Sequence, residues 1–94
     1  MMGRAYSVFE SGSDIYVAGY EGTGMYAGMN KAMIWKNDAV LHRLTTINNG
    51  SANSVYVNGS DVYVAGWENV AGTKSPQATI WKNGIVLHRL TSTN

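Results

Sequence analysis

The chain repeats itself, and this repeat limits its possible folds more than any other feature of the sequence. Residues 5–21 match residues 52–68 at an offset of 47, with 11 of 17 positions identical. Residues 32–48 match residues 78–94 at an offset of 46, with 12 of 17 identical. The 94 residues therefore divide into two repeats, 1–48 and 49–94. A period of this length is typical of solenoids and propellers.

Each repeat has the two-residue alternation of β-strands and is rich in Val, Tyr, Ile, Trp and Thr, which favour strands. We predict four strands in each repeat. In the first repeat they are 6–10, 15–20, 32–36 and 39–44, and in the second they are 53–57, 62–67, 78–82 and 85–90.

Turn residues separate these strands. The sequence Gly-Ser-Asp stands at 12–14 and again at 59–61, and two-residue turns are predicted at Asn37 and Asp38 and at Asn83 and Gly84. The Asn-Gly pair is a strong hairpin signal because both of its positions take positive φ. The segments 22–31 and 69–77 share almost no residues, so they are predicted to be variable loops, and 45–51 links the repeats.

Neither face of the predicted strands is polar. Along the second strand of the second repeat, Val62 and Val64 point one way and Tyr63, Ala65 and Trp67 the other. A sheet with one face in water would alternate apolar with charged residues, whereas a sheet packed between two others would not. Four-stranded antiparallel sheets stacked around an axis form a β-propeller. We therefore predict an all-β fold with two four-stranded antiparallel propeller blades, blade 1 at 1–48 and blade 2 at 49–94.

The stretches SVYVNGSDVYVAGWE and ATIWKNGIVLHRLT resemble the blade repeats of bacterial YVTN-type propellers. They are still more similar to tandem-repeat bacterial proteins that carry VYVAGYE and WKNG blocks. The resemblance covers both repeats and nearly the whole chain, and it implies a fold rather than an activity. It also implies that the chain begins on the innermost strand of one blade and ends on the outermost strand of the next.

Two blades cannot close a ring, and they leave two apolar faces that are complementary by construction. A head-to-tail contact of this kind generates a ring when the rotation closes. We predict a cyclic homo-oligomer in which the chain's partner is itself, with six blades from a trimer favoured and eight from a tetramer next. Two other interpretations stay open, a piece of a longer propeller and a monomeric barrel or sandwich.

Composition excludes several classes of function. The net charge is +1, with seven basic and six acidic residues spread along the chain, so nucleic acid is not expected as a partner. With no cysteine, neither a disulfide framework nor a thiolate metal site is available. The apolar runs are too short to cross a bilayer, and the amino end lacks the apolar stretch of a signal peptide. We expect a soluble chain with no signal peptide and no membrane partner, and its compartment stays unassigned.

The sequence indicates no catalytic residue, no metal ligand and no cofactor. His42 and His88 are the only histidines and occupy equivalent places, which symmetry sets apart on different blades, so we expect packing between blades. There is no HExxH motif, no thiol nucleophile and no phosphate-binding loop. Asp14 and Asp61 are expected to bond nearby backbone N–H groups in their turns, with a cation-holding ring of carboxylates as the alternative.

Each repeat places an aromatic residue and a carboxylate just before the variable loop, and an arginine and a tryptophan on later strands. Aromatic faces contact the C–H groups of sugars, while carboxylates and guanidinium groups bond their hydroxyls. The candidate ligand-binding residues are Tyr20, Glu21, Trp67, Glu68, Arg43, Arg89, Trp35 and Trp81. In the structural interpretation the tryptophans pack beside the hairpins, and the arginines lay their stems over an aromatic face or pair with the glutamates.

These residues favour a non-catalytic binding module with a carbohydrate or another small ligand at the blade interfaces. Small two-blade bacterial and fungal lectins assemble as trimers in a similar way, a likeness of architecture alone. The alternative is a scaffold ring for protein partners that uses the variable loops 22–31 and 69–77, in which Met25, Tyr26 and Met29 offer an adaptable apolar surface.

Overall fold

The computed structural model describes residues 2–22, 30–45, 49–69 and 76–90. These described residues form eight strands, β1 (Met2–Ser11), β2 (Asp14–Gly22), β3 (Asn30–Lys36), β4 (Ala39–Arg43), β5 (Gly50–Asn58), β6 (Asp61–Glu68), β7 (Gln77–Lys82) and β8 (Ile85–Leu90). Strands β1 to β4 form one antiparallel sheet and β5 to β8 a second, each in chain order. The eight predicted strands are confirmed, although β1 and β5 begin earlier than expected. The protein is all-β, and its two sheets are compatible with two blades.

The turns have the backbone that their residues predict. Asn37 and Asp38 have φ of 51° and 73°, and Asn83 and Gly84 have φ of 54° and 85°, as a two-residue hairpin with two positive φ values requires. The Gly-Ser turns are also two residues long. The aspartates after them belong to β2 and β6 rather than to the turns.

A β-bulge in β1 and another in β5 explain why both repeats carry a glycine at the position of Gly19 and Gly66. The register shifts between Ala52 and Ser54, and Gly66 on β6 lies opposite that bulge. A Cβ on Gly66 would stand 2.0 Å from the carbonyl oxygen of Ser51. Gly19 is in the same position against β1. Glycine is therefore required in the repeated Ala-Gly-aromatic-Glu sequence because the backbones of the paired strands lie too close together for a side chain.

An asparagine joins the two hairpins of each sheet. In the second sheet the Asn83 N–H donates to the Val62 carbonyl at 2.8 Å, and Asn83 Oδ1 accepts from the Val62 N–H at 2.8 Å. Asn83 Nδ2 also donates to Asp61 Oδ1 at 3.1 Å. One side chain thus fixes the start of β6 against the β7–β8 turn.

The first sheet has the same arrangement at Asn37. Its N–H and Oδ1 bond the backbone of Ile15, both at 2.9 Å, and its Nδ2 donates to Asp14 Oδ1 at 2.8 Å. Lys36 Nζ lies 3.7 Å from Asp14 Oδ2. In both repeats the aspartate accepts from an asparagine amide across the sheet, whereas the sequence suggested nearby backbone N–H groups as its donors.

The core lies between the sheets, which pack face to face with β5 running over β1, β2 and β3. Fully buried alanines at Ala18, Ala32 and Ala52 let the two backbones approach closely. The first sheet also contributes Tyr16, Ile34 and Leu44, with Phe9 and Leu41 at the edge, and the second contributes Val55, Val57, Val62, Val64 and Trp81.

The two outward faces carry apolar side chains whose copies in the other repeat are buried. Val8 is 66% exposed and its copy Val55 is 5% exposed, while Leu90 is 59% exposed and its copy Leu44 is 9% exposed. We define the outer face of the first sheet as Ala5, Val8, Ile15, Val17 and Trp35, and the outer face of the second sheet as Ala65, Ala78, Ile80, Leu87 and Leu90.

Candidate functional site

A pocket of about 510 Å³ opens where the two sheets meet near the start of β5. Among the described residues three aromatic rings and three small polar side chains line it, and none of these six side chains is charged. The lining residues are Tyr6, Tyr20 and Asn30 from the first sheet, and Ser51, Asn53 and Trp67 from the second.

Local structure brings these side chains together. Tyr6 is the extra residue of the β1 bulge, and its ring centre lies 5.9 Å from that of Tyr20 at a tilt of 45°. Ser51 Oγ donates to Asn53 Oδ1 at 2.8 Å in the bulge of β5. The pocket therefore offers aromatic faces beside amide and hydroxyl groups, which suits a small neutral molecule with both C–H and O–H groups.

Two of the eight candidate residues, Tyr20 and Trp67, meet in this pocket, and the carboxylates and arginines pair with one another instead. Arg89 Nη1 donates to Glu68 Oε1 at 2.9 Å, and the Glu68 side chain is buried. In the first repeat Arg43 and Glu21 approach to 4.0 Å at a more exposed place. The predicted pairing of the arginines with the glutamates is confirmed.

The remaining two candidates are tryptophans outside the pocket lining. Trp81 is fully buried between the sheets, and within the described ranges its Nε1 has no hydrogen-bond partner. Its copy Trp35 is half-buried on the outer face of the first sheet. The predicted packing role is confirmed for Trp81, since its whole ring lies in the core.

His42 is half-buried and lies against the β7–β8 turn of the other sheet. A Cβ placed on Gly84 would stand 2.6 Å from His42 Nδ1 and 2.9 Å from its Cε1. His42 therefore packs between the repeats as predicted, whereas its copy His88 is exposed on β8. Across the part of the chain that the structure describes, no three metal-ligating side chains come together.

Sequence reasoning missed four of the six lining residues that the structure describes, Tyr6, Asn30, Ser51 and Asn53. The sequence marks two of them. Tyr6 and Asn53 occupy the one position at which the repeats differ within an otherwise shared Ala-x-Ser-Val sequence. Most of the predicted variable loops, 23–29 and 70–75, lies outside the described residues.

The comparisons with known proteins return no relative for this chain. No family model matches it, and neither a curated protein nor a solved structure does. Among the described residues no helix is long and apolar enough to cross a membrane.

Proposed function

We propose that this protein is a non-catalytic β-propeller binding module whose two-blade chains assemble head to tail into a closed ring and bind a neutral sugar between blades. The observation that carries the assembly is the matched pair of outer faces. The observation that carries the ligand is the pocket whose described lining residues are aromatic or polar and uncharged.

The outer faces are copies of the two surfaces that already pack together inside the chain. Four residues of the first outer face are identical to their buried copies on the second sheet, and Ile15 replaces Val62 at the fifth. All five residues of the second outer face are identical to their copies on the first sheet, which are buried or packed against the core. A second copy of the chain therefore fits each face as the first sheet fits the second.

A shallow hollow of about 260 Å³ on the first sheet supports the same assembly. Ala5, Tyr6, Ser7, Val8 and Val17 line it. The copies of Ala5, Val8 and Val17 on the second sheet are buried against the first sheet. The hollow thus corresponds to the part of the internal junction that the preceding sheet fills.

An aromatic contact extends this correspondence. Phe9 and Tyr56 meet edge to face at 5.1 Å on the first strands of the two sheets, and they occupy equivalent positions. In a ring Tyr56 would meet Phe9 of the next chain in the same way. An isolated two-layer sandwich would instead be expected to carry polar outer faces. We propose a trimer with six blades, with a tetramer of eight as the next candidate.

The pocket supports a neutral sugar because its groups match that chemistry. Tyr6, Tyr20 and Trp67 offer π faces, whose negative potential attracts the slightly positive C–H groups of a sugar ring. Asn30, Asn53 and Ser51 can exchange hydrogen bonds with hydroxyls. The carboxylates nearest in sequence, Glu21 and Glu68, are engaged by their own arginines.

Ligand-observed NMR tests the sugar proposal. Methyl glycosides of common neutral hexoses are added to the assembled protein, and saturation transfer from protein to sugar is measured. We expect transfer to at least one glycoside and its loss in Trp67→Ala, because the variant removes one aromatic wall. Trp67→Phe is the matched control and should retain most of the transfer.

Transfer from no neutral glycoside, or transfer that Trp67→Ala leaves unchanged, would contradict the sugar proposal. The scaffold interpretation would then lead, with the segments 22–31 and 69–77 as the surface for a protein partner.

A further inference from the structure

The two repeats differ in charge at the surface where chains meet in the proposed ring. Val57 is buried in the core between the sheets, and the equivalent residue of the first repeat is the exposed Glu10. Gly84 lies beneath His42 at the β7–β8 turn, and the equivalent residue of the β3–β4 turn is the exposed Asp38. The first sheet therefore presents two carboxylates where the second presents a valine and a glycine.

The second sheet is basic at the opposing places. His88 on β8 is exposed and is the copy of the histidine that covers Gly84. Lys82 Nζ lies 5.6 Å from the centre of the Tyr63 ring. The same pair in the first repeat, Lys36 and Tyr16, stands at 5.5 Å, and Tyr16 belongs to the core cluster that includes Val57.

We propose that each junction between chains is held by two pairs of side chains, His88 with Asp38 of the next chain and Lys82 with Glu10 of the next chain. The inference rests on the ring proposed above and adds to it the contacts that distinguish junctions between chains from the junction within a chain. Opposite charges across an interface fix the register and suppress wrong pairings. The pairs thus favour the joining of a second sheet to a first sheet.

The contact of His88 with Asp38 must differ in geometry from its internal copy, the contact of His42 with Gly84. A Cβ above the internal glycine would stand 2.6 Å from His42 Nδ1, so Asp38 cannot lie under His88 in the same pose. His88 is exposed and has room to turn. A ring nitrogen can then meet the carboxylate of Asp38 directly.

The test is the chain concentration at which half of the protein is assembled, measured by sedimentation velocity. For the unmodified chain we expect this concentration to rise about tenfold between 50 and 500 mM NaCl, because salt screens partly exposed pairs. The double variant Glu10→Val with Asp38→Gly, which turns the junction into a copy of the internal one, should assemble without this salt dependence.

Charge reversal provides the matched control. Glu10→Lys should weaken assembly, and Lys82→Glu in the same chain should restore it. Assembly of the unmodified chain that is insensitive to salt, or normal assembly of Glu10→Lys, would overturn the two pairs and leave the ring standing. If the unmodified chain and the apolar double variant are both monomeric at every concentration, the ring itself is wrong.

Discussion

The imidazole of His42, on the first sheet, lies against Gly84 in the β7–β8 turn of the second sheet. Gly84 has two reasons to be glycine, a φ of 85° and the ring above it. Gly59 has only the first reason, because its φ is 65° and a Cβ there would meet nothing within 4 Å. The two glycines separate the cost of backbone strain from the cost of disturbing the contact between sheets.

We predict that Gly59→Ala lowers the free energy of unfolding by about 1 kcal/mol, the usual cost of a left-handed conformation for a residue with a Cβ. Gly84→Ala should lose roughly 2 kcal/mol more, because the methyl group displaces His42 from a packed junction. Urea denaturation at one fixed protein concentration measures both. Equal losses would mean that His42 does not pack on the turn, and in the double variant His42→Ala should recover part of the extra loss of Gly84→Ala.

At the scale of the strands and turns, Asn83 holds the second sheet's two hairpins in register. We predict that Asn83→Gly, which keeps the positive φ but removes two side-chain hydrogen bonds, lowers the free energy of unfolding by about 1–2 kcal/mol. Asn83→Asp keeps the shape and the acceptor for Val62 N–H, yet it turns the donor toward Asp61 into a second carboxylate. It should therefore be less stable than the unmodified chain at pH 7 in thermal melts, and equal stability would contradict the role assigned to Asn83.

The positions of the strands were largely predictable from the sequence, whereas most of the residues that line the pocket were not. Alternating apolar residues and the Asn83-Gly84 turn depend only on neighbours in sequence, so they located the strands and turns. The early starts of β1 and β5 were missed because polar or glycine residues at Gly3, Arg4 and Gly50 give no strand signal, and pairing with β2 and β6 overrides it.

Only two of the described lining residues of the pocket were predicted from the sequence, for a related physical reason. Tyr20 and Trp67 precede the variable loops in sequence and drew attention as aromatic residues. Tyr6 and Asn53 enter the pocket because bulges redirect their strands, and a bulge has no reliable signature in one sequence. The ion pairs of Arg43 and Arg89 were predictable because the same two charges recur in both repeats.

At the scale of the whole molecule, the two sheets of the chain pack against each other. Their outward faces expose copies of the same two packing surfaces. Apolar surface of this extent is unusual on an isolated soluble domain and usually marks an interface. The equivalent valines of the two repeats, Val8 and Val55, test whether the outward face is an interface, because one is exposed and the other buried. Val8→Asp should abolish assembly while the chain stays folded, because Val8 is exposed in the single chain, whereas Val55→Asp should unfold the chain because Val55 is buried.

The mass of the unmodified protein in solution tests the head-to-tail ring most directly. Light scattering behind size exclusion, at concentrations from high to low micromolar, should give about 31 kDa for three chains of 10.2 kDa, or about 41 kDa for four. Val8→Asp, run beside it, should elute as a folded species of about 10 kDa. A folded species of about 10 kDa for the unmodified chain at every concentration would contradict the ring.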